Sequence, residues 1–399
     1  MNLAVEFDVA IVGGAMVGAA AARSLAGERV ALIAQAPRPA ASGAPQGFAQ
    51  FFDTRVYAIS PGNAAFLTRL GAWNTIPADR LTPVHAMRVQ GDDGKSLIEF
   101  DAYRSGVSEL AWIVEDGRVQ DALWRGLEAQ ERLSVHAGTS IRDLQVGDGA
   151  ATLLLDDGRS LAARLVVGAD GARSPVRERA GIASTAQGYG QTAVVANFAC
   201  ERPHRNVAWH WFRGPASGGA VLALLPLPGD HVSMVWSART TDAARLLALD
   251  GEMLAREVAA AAQHVLGDFS LVTAPRGFPL QRLAAGSLVA PRVALAGDAA
   301  HVVHPLAGQG ANLGLQDARI LAEVLAARAP GRDPGDLRLL RRYARARAEA
   351  ILAMGATVHG LHRLFGSPAP AASRLRNAGL NFADRLPVLK NLLMRHAMG

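Results

Sequence analysis

The stretch from Arg292 to Asp317 leaves the chain few ways to fold. Val293-Ala-Leu-Ala296 is a short apolar run of the kind that forms a buried parallel strand. Gly297-Asp298 ends it, and a loop of Gly, Pro and His leads to Gly308-Gln309-Gly310. Beyond the loop, Leu313, Ile320, Leu321, Val324 and Leu325 recur at helical spacing until Pro330. Strand, glycine-rich loop and helix follow one another, with the helix N-terminus aimed back at the loop. The first N–H groups of a helix have no partner within it and carry positive partial charge. Such a terminus suits an anion or an electron-rich ring edge.

A second unit of this kind opens the chain. Phe7–Val12 reads as a strand, Gly13-Gly14-Ala15-Met16-Val17-Gly18 as a turn into a helix ending near Ala26, and Val30–Ile33 as the next strand. This is a βαβ unit with a dinucleotide-binding spacing, in which glycines let the backbone approach a pyrophosphate at the helix terminus. It departs from the pattern twice. Ala15 stands at the middle glycine position, and Gln35 stands where the second strand usually ends in a ribose-binding acid.

Between these units the pattern changes. Residues 85–100 alternate around an Asp92-Asp93-Gly94 turn, 114–127 read as a helix, and 151–159 as a hairpin around Asp156-Asp157-Gly158. Residues 192–200, 206–213, 220–227 and 232–237 are strand-like, and Pro228-Gly229-Asp230 joins the last two. Two helices over 240–266 and a crossover strand over 269–280 lead back to the opening motif. A long helix is expected from Asp336 to about Phe365, with Arg338, Arg341, Arg342 and Arg345 on one face. The tail around Val388–Leu393 is amphipathic.

Composition removes several classes. The 399 residues suffice for two or three domains and a large core. One cysteine, Cys200, excludes an internal disulfide and fits a reducing compartment. The first residues carry acids and no Lys or Arg, a poor signal peptide, and no apolar run reaches the roughly 18 residues of a membrane span. The net charge of +6 invites an anionic partner, yet aromatics are not interleaved with Lys and Arg and no nucleic-acid signature is present. Nucleic acid is therefore not an expected partner.

The segment His304-Pro305-Leu-Ala-Gly308-Gln309-Gly310-Ala311-Asn312-Leu-Gly314-Leu-Gln-Asp317 resembles the signature of the ubiquinone-biosynthesis hydroxylase family. These are FAD-dependent aromatic monooxygenases related to the para-hydroxybenzoate and phenol hydroxylases. Asp53–Ser60 with Leu67, Leu70 and Gly71, the helical Arg118-Val119-Gln120, and Gly168-Ala-Asp170-Gly171 resemble further stretches of that family, so the resemblance runs through the whole chain. It implies an α/β fold in which a Rossmann-like FAD-binding domain of the para-hydroxybenzoate hydroxylase type takes residues 1–75, 101–180 and 281–335. An antiparallel-sheet, α+β substrate domain takes 76–100 and 181–280, and C-terminal helices take 336–399. No metal is implied.

The implied chemistry is hydroxylation of the aromatic ring of a polyprenylated phenol or quinone precursor through a flavin C4a-hydroperoxide. FAD is the cofactor, NAD(P)H the electron donor and O2 the co-substrate. Carried over position by position, Gly13, Gly14, Ala15, Gly18 and Gln35 would meet the dinucleotide end. Arg55, Gln120 and Asp170 would lie along the cofactor, and Asp298 would bind the ribityl chain. Pro305, Gly308 and Gln309 would flank the flavin ring, with the N–H groups of Gly310, Ala311 and Asn312 at its N1–C2=O edge. His210, Phe212, Leu222 and Leu224 are the expected substrate wall. His301 and His304 are acid–base candidates, and no catalytic base follows from sequence. A hydroxylase of a soluble aromatic or secondary metabolite, and a flavin-dependent isoprenoid reductase, stay open as alternatives. The expected location is cytoplasmic. Peripheral attachment to the inner face of the membrane, membership of a quinone-biosynthesis complex, and a homodimer are left open.

Overall fold

A computed structural model describes residues 5–36, 52–214, 217–304 and 310–366. In chain order, the first half contains β1 (Phe7–Val12), α1 (Met16–Ser24), β2 (Val30–Ala34), β3 (Val56–Ile59), α2 (Pro61–Arg69), β4 (Thr82–Val84), β5 (Ala86–Gln90) and β6 (Leu97–Asp101). There follow β7 (Ala111–Glu115), α3 (Asp116–Leu127), β8 (Leu133–Ala137), β9 (Ile141–Val146), β10 (Ala151–Leu155), β11 (Ser160–Gly168) and α4 (Pro175–Arg179). The second half contains β12 (Ser184–Cys200), β13 (Val207–Phe212), β14 (Val221–Leu227), β15 (His231–Arg239), α5 (Thr240–Leu247), α6 (Gly251–Ala261), β16 (Phe269–Leu271) and β17 (Arg276–Ala285). The chain continues with β18 (Val289–Ala290), β19 (Val293–Leu295), β20 (His301–Val302), α7 (Gly310–Ala326) and α8 (Leu337–Gly366).

Among the described residues the strands form three sheets. The first has the path β18-β19-β11-β1-β2-β8, with β10 and β9 hairpinned onto β11. Its central strands β19, β11, β1, β2 and β8 run parallel. They are apolar on both faces because both faces are covered: α1, α3 and α7 pack on one side, and β9, β10 and α4 close the other. The order turns at β1, which has β2 on one side and β11 on the other, and an open parallel sheet leaves a crevice at the strand C-termini there.

The second sheet runs β20-β17-β12-β15-β14-β13-β5-β6. It packs one face on α5 and α6 through Val194, Phe198, Trp211, Leu222, Leu224 and Met234. A small sheet, β3-β7-β4, lies between the two larger ones, and Phe52, Val84, Ile113, Ala208 and Leu227 share a cluster there.

Three expectations are corrected. Residues 269–280 are not one crossover strand: β16 and β17 are separate and both pair with β12. Val114 and Glu115 end β7 instead of starting α3, because Val114 is needed in the pairing with Tyr57. The second sheet, expected to be antiparallel, also contains one parallel pairing, β13 with β5.

Candidate functional site

The crevice at β1 is built from positions where no side chain fits. Gly13 has φ +112°, and a Cβ there would lie 2.1 Å from the Ala169 carbonyl oxygen. A Cβ on Gly14 would meet Ala34 and Trp124, and one on Gly18 would lie 1.8 Å from the Gly13 carbonyl oxygen. Trp124 of α3 donates to the Gly14 carbonyl at 2.8 Å and fixes the turn from outside. Ala15 is the N-cap of α1, is exposed, and gives the helix no side-chain cap. The first turn contains no acid. The N–H groups that begin α1 thus face an open crevice without a competing carboxylate, the arrangement that holds a pyrophosphate. Gln35, past the end of β2, is exposed and has no hydrogen bond among the described residues.

A second group of residues closes over this crevice. Arg55 stands 5.4 Å from the Tyr57 ring and 4.0 Å from Asp116, and Gln120 donates to Asp116 at 2.7 Å. The i, i+4 spacing of Asp116 and Gln120 on α3 makes this contact. Glu115, one residue earlier, is a buried hub. It accepts from Arg80 and Arg118, at 2.6 Å each, and from the Asp53 N–H. Arg118 is thereby committed to structure, whereas Arg55 is exposed to the crevice.

Asp298 sits on the turn after β19, exposed to the same crevice. Partial enclosure raises its carboxyl pKa against the pull of Arg55 and His301. Enclosure raises Asp116 in the same way, against its Gln120 hydrogen bond and Arg55. Arg55 therefore stands between Asp116 and Asp298, with Asp53 also within its field.

The turn carrying Asp298 is locked from below. Gly297 donates to Asp317 Oδ2 at 2.9 Å, and His301 Nε2 donates to the same oxygen at 2.7 Å. Arg347 of α8 donates from Nε to Asp317 Oδ1 at 2.6 Å and from Nη2 to the Leu313 carbonyl. Burial alone would raise the Asp317 carboxyl, but His301 and Arg347 hold it below the usual range. Val17 of α1 packs against both Gly297 and Gly314, which brings the starts of α1 and α7 to one crevice.

The expected residues divide clearly. Gly13, Gly14, Ala15, Gly18, Arg55, Gln120 and Asp298 meet at the crevice, with Gly310 and Ala311 at the start of α7. Pro305, Gly308 and Gln309 lie outside the described residues, as does the amphipathic tail. Asn312 uses its side chain to receive Ser60 N–H and Asn63 Nδ2 and to donate to the Ala58 carbonyl, joining α7 to the β3–α2 corner. Asp170, beside Gly13 at the crevice, accepts from Ser174 and from the Val176 N–H at the start of α4. Arg177 bonds the Ala299 and Ala172 carbonyls and braces the same region.

His301 is committed to Asp317, and His304 donates to Gln191 at 3.1 Å and meets the Tyr189 ring edge-on. Both brace the loop. Leu222 and Leu224 are corrected: they point into the α5–α6 core, and the two-residue strand period puts them on the face opposite His210 and Phe212. Tyr57, Asp116, Asp317 and Arg347 were not expected. Only the Asp116–Gln120 spacing signalled one of them.

Chains of this architecture are known. Residues 6–356 match the family described as FAD binding domain. The chain is 36% identical to ubiquinone hydroxylase UbiL of Rhodospirillum rubrum, over 98% of this chain and 89% of the relative. It is 34% identical to 3-demethoxyubiquinol 3-hydroxylase of Escherichia coli, over 98% of each. The chain belongs to the ubiquinone-biosynthesis hydroxylase family. The hydroxylase is an FAD-dependent monooxygenase, and the fit is visible in the crevice: glycines where a Cβ would collide, two helix starts, and an arginine held among acids. It also superposes on Pseudomonas aeruginosa PqsL in complex with 2-aminobenzoylacetate, with a TM-score of 0.76 and 26% identity, over 94% of this chain and 99% of that one.

Proposed function

We propose that this hydroxylase adds a hydroxyl group to the aromatic ring of a polyprenylated phenol or quinone precursor in ubiquinone synthesis. The observation that carries the reading is the joining of an FAD crevice to a largely apolar sheet face, in a chain whose relatives over nearly full length are named for ubiquinone hydroxylation. When bound, FAD supplies the reducing equivalents and the oxygen-activating centre, with O2 as co-substrate and NAD(P)H as the donor we infer.

The chain's own part is to bind, orient and exclude water. The start of α1 with Gly13, Gly14, Ala15 and Gly18 would hold the pyrophosphate, and Arg55 would balance its charge. Gln35 and Gln120 would hydrogen-bond along the dinucleotide, and Asp298 would hold the ribityl hydroxyls. The N–H groups of Gly310, Ala311 and Asn312 at the start of α7 would stabilise negative charge at the flavin edge. We take the first sheet as the cofactor domain and the second as the substrate domain.

The second sheet offers a substrate mostly apolar side chains, which suits a lipid-tailed ring better than a charged acid. The exposed Arg338, Arg341, Arg342 and Arg345 of α8 support contact with an anionic membrane surface, and no described helix is long and apolar enough to cross a membrane. Vesicle co-sedimentation at low and high salt tests that contact.

The decisive experiment is the quinone profile of a strain deleted for this chain, by mass spectrometry of lipid extracts. A prenylated intermediate lacking one hydroxyl is the expected result and would identify the ring position. An unchanged profile would favour a soluble aromatic substrate, a reading supported by the likeness to PqsL.

A further inference from the structure

The second sheet has two unlike faces. Val194, Ala196, Trp211, Leu222, Leu224 and Met234 turn to α5 and α6. Their neighbours in sequence turn the other way. Register sets Val195 opposite Val235, Val235 opposite Ala223, Ala223 opposite His210, and His210 opposite Val89, so one row of side chains crosses the sheet on the face away from the helices.

Val195 clusters with Ala193, Leu280, Tyr189 and Val235, and the Tyr189 ring meets His304 at 4.8 Å. The row therefore begins beside the residue where the α7 loop starts. Val195, Ala223 and His210 each keep 8% exposure, whereas Leu222, Leu224 and Met234 on the opposite face have none. The row is a shallow trough with an apolar floor that passes one imidazole before it reaches Val89.

That imidazole is incomplete. Neither ring nitrogen of His210 has a hydrogen-bond partner among the described residues, and Nδ1 is wholly enclosed. A buried polar atom without a partner costs stability, and native proteins keep few of them. Apolar walls supply affinity for an aromatic ring but do not fix which way round it lies. A single hydrogen-bonding group on such a wall does.

We infer that His210 is the specificity-determining residue that hydrogen-bonds a ring oxygen of the aromatic substrate and so fixes the orientation of the ring in the trough. This role rests on the substrate reading above. Burial pushes the His210 pKa down to about 4, so the ring stays neutral, with one nitrogen donating and the other accepting. A phenol or quinol hydroxyl also donates and accepts, and satisfies either tautomer. A neutral imidazole gives a ring carboxylate no countercharge, which favours a neutral phenol over an aromatic acid at this position. A site built to bond a hydroxyl rejects the analogue that cannot reciprocate, because its own buried atom is then left unpaired.

The test uses the FAD-loaded protein without an electron donor. A short-chain 2-prenylphenol and the prenylbenzene that lacks its hydroxyl are titrated, and binding is read from the perturbed flavin absorbance. The native protein is expected to bind the phenol about tenfold more tightly than the prenylbenzene, the worth of one neutral hydrogen bond. His210→Phe should lose that preference at unchanged FAD content, and His210→Gln, which keeps a donor and an acceptor, should recover part of it. If His210→Phe does not load FAD, His210→Met carries the same comparison. A Phe or Met variant that still prefers the phenol overturns the role while leaving the substrate reading intact. A native protein that binds neither compound overturns the substrate reading and this role with it.

Discussion

A methyl group at Gly13 would sit 2.1 Å from the Ala169 carbonyl oxygen, at a φ of +112° that strains any L side chain. Gly13→Ala should therefore cost about 3 kcal/mol and empty the crevice of FAD, checked by thermal unfolding and by the flavin absorbance of the purified variant. His210 gives a pH signature at the same scale. Its pKa is about 4 in the folded chain and 6.5 in a model side chain, so the unfolded state binds the extra proton between those values. Its contribution is fully present above pH 6.5 and is lost as pH falls towards 4, about 3 kcal/mol in all. Denaturant titrations of His210→Phe should show a flatter stability profile across that window. Asp317 has the opposite origin and the same sign. Its folded pKa is depressed, so its stabilisation is present above the unfolded carboxylate pKa and is lost only in stronger acid. Asp317→Asn leaves His301 and Arg347 buried around a neutral partner and should cost about 3–5 kcal/mol near neutrality, with little further difference from the native protein in strong acid.

Elements meet here through small residues. A Cβ on Gly314 of α7 would lie 2.6 Å from Val17 and 3.2 Å from the Gly297 Cα. Gly314→Val should push α7 off the start of α1, and FAD titration should show weakened binding in a chain that keeps its circular dichroism. This junction was largely legible in the sequence, because glycine spacing between an apolar run and a helical period reports close approach directly. The faces of β14 were not. Residues 221–227 are apolar on both sides of the strand, so period two carries no signal, and Leu222 and Leu224 were assigned to the wrong side. The Asp317–Arg347 pair was equally hidden: its partners are 30 residues apart on different helices, and an arginine among many arginines announces nothing.

At the scale of the whole molecule, the fold class and the cofactor were readable because both rest on local motifs. The order of the strands in the sheets was not, since β12 draws partners from residues 231–239, 269–271 and 276–285. Polar contacts tie the second sheet to the rest of the chain, among them Asn197 Nδ2 to the Asp53 carbonyl before β3 at 3.0 Å. A ligand held in the crevice should thus stabilise the whole chain by mass action. FAD at a hundred times its dissociation constant should add about 2.7 kcal/mol to the stability of the apoprotein, read as a rise in Tm that scales with ligand concentration. The Arg347 clamp also has a consequence in the order of synthesis. The glycine turn of α1 is among the first parts of the chain to leave the ribosome. The lock on the turn carrying Asp298 begins with Asp317 and is complete only when Arg347 of α8 has followed, some 330 positions after Gly14. Nascent chains halted short of that arginine should capture no flavin, so the cofactor arrives at the end of translation and not at its start.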